Sequence, residues 1–293
     1  MSAKQWLKRI RAVEVKSRLL SQQLLQGQAH SIFTGRGIDF EDVRPYQPGD
    51  DVRRIDWNVT ARMREPYVKR FIEERELTFI VLVDLSSSGA FTTSEQSKNE
   101  LAAELCGVFG FSAIRSNDRI GLGLFTDQVE VWIPPSKGED HVLHMIKNTL
   151  FHEPRNTGTN ISEAVKFLER VSPRPAVVTV ISDFMDDGFE RAIKSANQRH
   201  EMMAINLVDP RDFELPRVGW VTLQDPETGQ YVEINTNRKK IRQAYEERAM
   251  ARYRGLHHKL RSGGIPALDV HTDRPYFADL CQFLSERSAR RLA

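Results

Sequence analysis

The chain has 293 residues, 40% hydrophobic and 28% charged, with a formal net charge of +2. That balance suits a soluble globular protein, and no apolar stretch approaches the roughly 20 residues of a membrane span. The only two cysteines, Cys106 and Cys281, lie far apart in apolar helical contexts, which disfavours Cys-based zinc and favours a reducing, cytoplasmic setting.

In chain order, residues 4–25 have apolar side chains at a three-to-four-residue period and read as a helix. Basic residues follow Met1 without an apolar core, so no signal peptide is expected. Residues 1–34 form a basic N-terminal unit in which six Lys/Arg face Glu14 alone. Residues 35–76 are punctuated by Gly35, Gly37, Pro45, Pro48, Gly49 and Pro66, so strands and turns are expected there in a β-rich module. From 77 to 293 strands and helices alternate, the pattern of a parallel sheet with helices on both faces. Strands are expected at 77–83, 119–125, 129–133, 176–182, 202–208 and 267–271. Helices are expected at 95–116, 139–150, 161–171, 187–199, 238–262 and 275–289. Only Thr126, Asp127 and Gln128 join the second and third strands, so that pair must be antiparallel and the sheet mixed. Residues 217–235 read as an inserted β-hairpin turning at Asp225–Gly229.

The stretch Phe79-Ile80-Val81-Leu82-Val83-Asp84-Leu85-Ser86-Ser87-Ser88 carries the chemistry. An apolar run bounded by polar residues reads as a buried parallel strand, and ligands bind beyond the carboxyl ends of such strands. Asp84, Ser86 and Ser88 form an all-oxygen cup suited to a hard cation such as Mg²⁺; capping of the next helix is the plainer alternative. Thr159, in Thr157-Gly158-Thr159-Asn160, and Asp183, closing the apolar run 176–182, fall at the same sheet edge. These five residues, Asp183 bound directly or through water, would leave at least one coordination position open.

D-x-S-x-S at 84–88, the threonine at 159 and the aspartate at 183 occur in the order of a known site. They resemble the metal-ion-dependent adhesion site of von Willebrand factor type A domains. The resemblance implies a Rossmann-like α/β fold, mixed but mostly parallel, with Mg²⁺ or Mn²⁺ held by Asp84, Ser86, Ser88, Thr159 and Asp183. It also implies that a partner's acidic side chain takes the open position. The block from Gly35 to Arg62, with Tyr46-Gln47-Pro48-Gly49-Asp50-Asp51-Val52-Arg53-Arg54-Ile55-Asp56-Trp57 at its centre, resembles the signature of bacterial domain-of-unknown-function family 58. That likeness spans roughly residues 30–290. It implies partnership with a MoxR-type AAA+ ATPase in chaperone-like assembly or activation of a client.

Arginines and acids alternate through this block. They are read as ion pairs fastening residues 35–76 to the main domain. A docking face for the ATPase, formed by Arg44, Tyr46, Asp50, Arg53, Arg54, Asp56, Trp57 and Arg62, is the sharper reading. Trp57, Tyr46 and Tyr67 are expected in the core.

The expectation is a non-enzymatic adaptor. A hydrolase or phosphatase using Asp84 as nucleophile is the first alternative, but Ser86 stands where such phosphatases carry a second acid. The chain also lacks G-x-S-x-G, a P-loop and H-E-x-x-H. Nucleic-acid or anionic-surface binding is the second alternative. It would use residues 1–34, the basic helix 238–262 and the tail Arg287, Arg290 and Arg291, but no recognition motif supports it and no nucleic acid is expected.

Overall fold

A computed structural model describes residues 3–26, 39–72, 76–86, 96–224 and 231–292. Its frame is a six-stranded sheet in the order β10-β7-β6-β3-β4-β5. The strands are β3 (Thr78–Asp84), β4 (Arg119–Phe125), β5 (Val129–Ser136), β6 (Val177–Ser182), β7 (Glu201–Val208) and β10 (Ala267–His271). All neighbours pair in parallel except β4 and β5, the pair the three-residue link requires. The fold class is thus α/β, with a mostly parallel sheet flanked by helices.

Strand pleating sorts the core into two layers. Phe79, Val81 and Val83 join the apolar cluster formed with α1 (Ala3–Gln26), α3 (Lys98–Arg115), α4 (Glu139–Phe151) and α8 (Phe277–Leu292). Ile80 and Leu82 face the cluster formed with α5 (Ile161–Val171), α6 (Glu190–Ala196) and α7 (Lys239–Ser262). Successive residues of β3 therefore serve opposite cores, which is why the strand reads as an unbroken apolar run.

α1 lies on α3. Its Ser17 and Leu24 are fully buried, and Ser17 Oγ donates to the Glu104 carbonyl at 3.1 Å. The close approach depends on glycine. A Cβ on Gly107 would run into Ser17 Oγ, and one on Gly110 would stand 2.6 Å from Val142 Cγ1 on α4. α1 also spends its charge locally, with Arg9 on Glu100, Lys16 on Glu104 and Arg18 on Glu139.

Residues 39–72 hold a two-stranded antiparallel ribbon, β1 (Asp39–Pro45) with β2 (Tyr67–Ile72). Between them lies a helix the sequence reading did not expect, α2 (Trp57–Met63). The Asp56 side chain caps it, accepting from the backbone N–H groups of Asn58 and Val59. Trp57, expected in the core, is 69% exposed, while Val68 is buried. The other extended pair is the hairpin β8 (Trp220–Gln224) with β9 (Tyr231–Asn235). Its expected turn at Asp225–Gly229 lies outside the described residues. α6 is shorter than the expected 187–199. α7 buries Ala249, Leu256 and Leu260. Among the described residues no helix is long and apolar enough to cross a membrane.

Candidate metal centre

Asp84 ends β3 at the carboxyl edge of the sheet and is 7% exposed. The chain turns sharply after it, so that the Ser86 N–H donates back to Asp84 Oδ1 at 2.9 Å. Ser182, the last residue of neighbouring β6, donates from Oγ to Asp84 Oδ2 at 2.6 Å and accepts the Phe184 N–H at 2.8 Å. That second turn holds Phe184 at a φ of 53°, a left-handed backbone rare for an aromatic residue and typical of a turn fixed by its surroundings. It presents Asp183 beside Asp84. Burial pushes the Asp84 carboxyl up and the Asp183 carboxylate pushes the same way. Hydrogen bonds from Ser182 and Ser86 offset part of this, leaving a pKa of about 6.

Thr159 sits half-buried in the loop that enters α5. The Asn160 N–H donates to the Thr126 carbonyl at 2.8 Å, tying this loop to the turn after β4, whose Phe125 is the register partner of Asp84. Glu130 supplies the second tie. Its carboxylate accepts from Thr126 Oγ1 and His152 Nε2, each at 2.7 Å, and from the backbone N–H of Arg155 at 3.0 Å. Burial raises the Glu130 pKa, but these donors outweigh it and hold the group at about 2. Asp186 supplies the third tie, accepting the Ile161 N–H at 2.8 Å. Asp84, Ser86, Thr159 and Asp183 thus occupy turns at one sheet edge. Ser88 lies outside the described residues.

Neither Lys98 nor Asp212 figured in the sequence reading. Lys98 opens α3, and its ammonium stands 3.0 Å from Asp183 Oδ2 and 3.0 Å from Asp212 Oδ2. Burial works against the ammonium, but the two carboxylates outweigh it and raise its pKa. A sequence signal for Asp212 existed: β7 ends at Val208 and is followed by Asp209-Pro210-Arg211-Asp212, a third apolar run closing in acids. Asp209 and Asp212 cap each other across that turn. A small cavity adjoins the site, about 40 Å³, walled by Asp183, Asp212, Phe213, Tyr253 and Leu256 among others.

Among the described residues no cluster of three or more His, Cys, Asp or Glu side chains stands ready for a metal ion. The donors here are instead two carboxylates and hydroxyls, a set that fits a hard divalent cation. Repulsion between Asp84 and Asp183 is what such an ion would relieve.

The residues read as a docking face are dispersed in role. Arg44 closes a two-bond fork on Asp50 within the module, at 2.6 and 2.8 Å. The Tyr46 N–H donates to the Pro66 carbonyl, and Asp56 caps α2. Arg53, Trp57 and Arg62 are exposed. The Arg54 side chain lies outside the described residues. In the tail, Arg287 is not free for phosphate: it is 6% exposed and binds Glu201 at 2.7 Å.

The chain is 32% identical over 287 residues to uncharacterized proteins of Mycobacterium tuberculosis and Mycobacterium bovis, spanning 97% of this chain and 90% of each relative. It is 27% identical over 106 residues to the uncharacterized protein YeaD of Bacillus subtilis, 36% of this chain and 24% of that one. Among solved structures it is similar to the conserved hypothetical protein BatB of Bacteroides thetaiotaomicron. That likeness has 16% identity, 73% of this chain and 99% of the other, and a TM-score of 0.45. An aerotolerance-related membrane protein of Bacteroides fragilis gives 15% identity, the same coverage and a TM-score of 0.46. The model of the family described as protein of unknown function DUF58 matches residues 42–254, well over half of the sequence, and the chain belongs to that family.

Proposed function

We propose that the chain carries a von Willebrand factor type A-like domain that works as a metal-dependent adaptor and catalyses no reaction of its own. In this reading Asp84, Ser86, Ser88, Thr159 and Asp183 hold Mg²⁺ or Mn²⁺, with Asp183 bound directly or through water. The bound ion supplies a positive docking point, and an acidic side chain of a client or of a MoxR-type AAA+ ATPase takes the remaining position. The ATPase partnership follows from the family resemblance, and the work expected of the pair is assembly or activation of a client in the cytoplasm.

The observation that carries the reading is the meeting of Asp84 and Asp183, two strand-ending carboxylates, among hydroxyl donors at one sheet edge. Burial first and the Asp183 carboxylate second raise the Asp84 pKa, and a cation at this edge would offset both. The pairing of Arg9, Lys16 and Arg18 with acids of α3 and α4 weighs for docking over nucleic-acid binding.

Calorimetric titration of Mg²⁺ and Mn²⁺ into chelator-stripped protein is the test, with Asp84→Ala as control. Saturable binding lost in the variant is expected. Equal binding by both proteins, or none by either, refutes the metal centre.

A further inference from the structure

We infer that Lys98 is the resident counter-ion of this centre: its ammonium holds Asp183 while no divalent ion is bound and keeps metal affinity low. The inference rests on the metal reading above and goes beyond it by assigning a regulator of that site.

Lys98 is poorly explained as a helix residue. It stands at the first position of α3, where the positive end of the helix dipole disfavours a cation. The helix start is already satisfied by a capping box between Ser97 and Glu100. The lysine is 3% exposed, and its ammonium lies in a site where an unpaired charge would be costly. What holds it there is the pair of carboxylates, Asp183 with a side chain 4% exposed and Asp212 with one 24% exposed.

The two contacts are unequal in consequence. Asp183 is a candidate metal ligand, whereas Asp212 is not. Asp183 Oδ2 accepts Lys98 Nζ and its Oδ1 accepts the Met185 N–H at 3.2 Å, so both oxygens are engaged. A metal ion placed on Asp183 Oδ2 competes with the ammonium for that oxygen and meets its positive charge at close range. Asp212, 3.0 Å from the same nitrogen, is the seat that remains to it. Asp84 receives only neutral donors among its described hydrogen bonds. Lys98 therefore neutralises one side of the site and leaves the other side short.

Two substitutions move affinity in opposite directions. Lys98→Met removes the competing charge, and the Mg²⁺ dissociation constant should fall by at least about tenfold, as expected for one elementary charge a few ångströms away at a protein-like effective dielectric. Asp212→Asn removes the alternative seat while keeping the side chain's shape, ties the ammonium more firmly to Asp183, and should raise the dissociation constant. Damage that is merely structural would weaken binding in both. The experiment is Mg²⁺ calorimetry on wild type, Lys98→Met, Asp212→Asn and Asp84→Ala, with thermal melts in chelator and in Mg²⁺. Tighter binding by Lys98→Met, with a larger Mg²⁺-induced rise in melting temperature, supports the role. Unchanged or weaker binding by that variant overturns it while leaving the metal centre intact. If Lys98→Met does not fold, unchanged or tighter binding by Asp212→Asn still overturns the role. Absence of Asp84-dependent binding in every protein removes the metal centre and this inference with it.

Discussion

Glu130 carries no metal-binding role in this reading, yet it decides where Thr159 stands. One carboxylate gathers a hydroxyl, an imidazole and backbone N–H groups from the turn after β4 and the loop before α5. Glu130→Gln replaces an acceptor-only group by one that presents N–H donors to some of these partners. The expected loss is about 1–3 kcal/mol, the range for a hydrogen bond to a charged group with its partners left unsatisfied. Burial opposes the charge, but the donors win and depress the pKa to about 2 from an ordinary 4.5. A depressed carboxylate contributes stability that is complete above its unfolded pKa and drains away as pH falls from 4.5 toward 2. Urea unfolding of wild type and Glu130→Gln should therefore diverge at neutral pH and converge in acid. Mg²⁺ affinity should fall alongside, because the loop bearing Thr159 loses its anchor. A gap between the two proteins that persists undiminished in acid would contradict the carboxylate's role.

Helix packing sets the next scale, and α3 is its test. Gly107 sits mid-helix, where alanine is ordinarily better by about 1 kcal/mol on propensity alone. Here a Cβ would meet Ser17 Oγ and lie 2.7 Å from Ser17 Cβ. Overpacking of that kind typically costs about 1–3 kcal/mol, so the clash outweighs propensity. Gly107→Ala should lower the urea midpoint; a raised midpoint would show that α1 can shift without penalty.

Elements with long patterns were legible in advance. The helix expected at 161–171 is α5 as found, and the strand expected at 77–83 differs from β3 by one residue. The antiparallel β4–β5 pair followed from chain geometry alone. α2 was missed because seven residues give too short a stretch for helical periodicity, and neighbouring glycines and prolines suggested strands and turns. Its signal was Asp56, a cap that an apolar pattern does not reveal. Trp57 was misplaced for the same reason: aromatic character argues for burial only where a core is within reach. At the site, Asp84 and Asp183 stand where apolar runs close, Asp84 ending β3 and Asp183 following β6. The Lys98–Asp212 contact joins residues 114 positions apart, a separation no local pattern encodes.

Across the whole molecule, α1 is fastened over long sequence separations. Arg9 reaches Glu100, and Ser17 reaches the carbonyl of Glu104, across separations of 91 and 87 residues. Contacts of such high sequence separation form late, because loop closure must precede any gain from them. Pulse-labelled hydrogen exchange during refolding should show α1 amides protected after those of β3 and β4. Simultaneous or earlier protection would mean that α1 helps nucleate the sheet. On a ribosome the same separation becomes a waiting time. α1 emerges with Leu20 and Leu24 uncovered, and its seat on α3 is not synthesised until some 80 residues later. The apolar face of α1 therefore stays open to other contacts until α3 has been made.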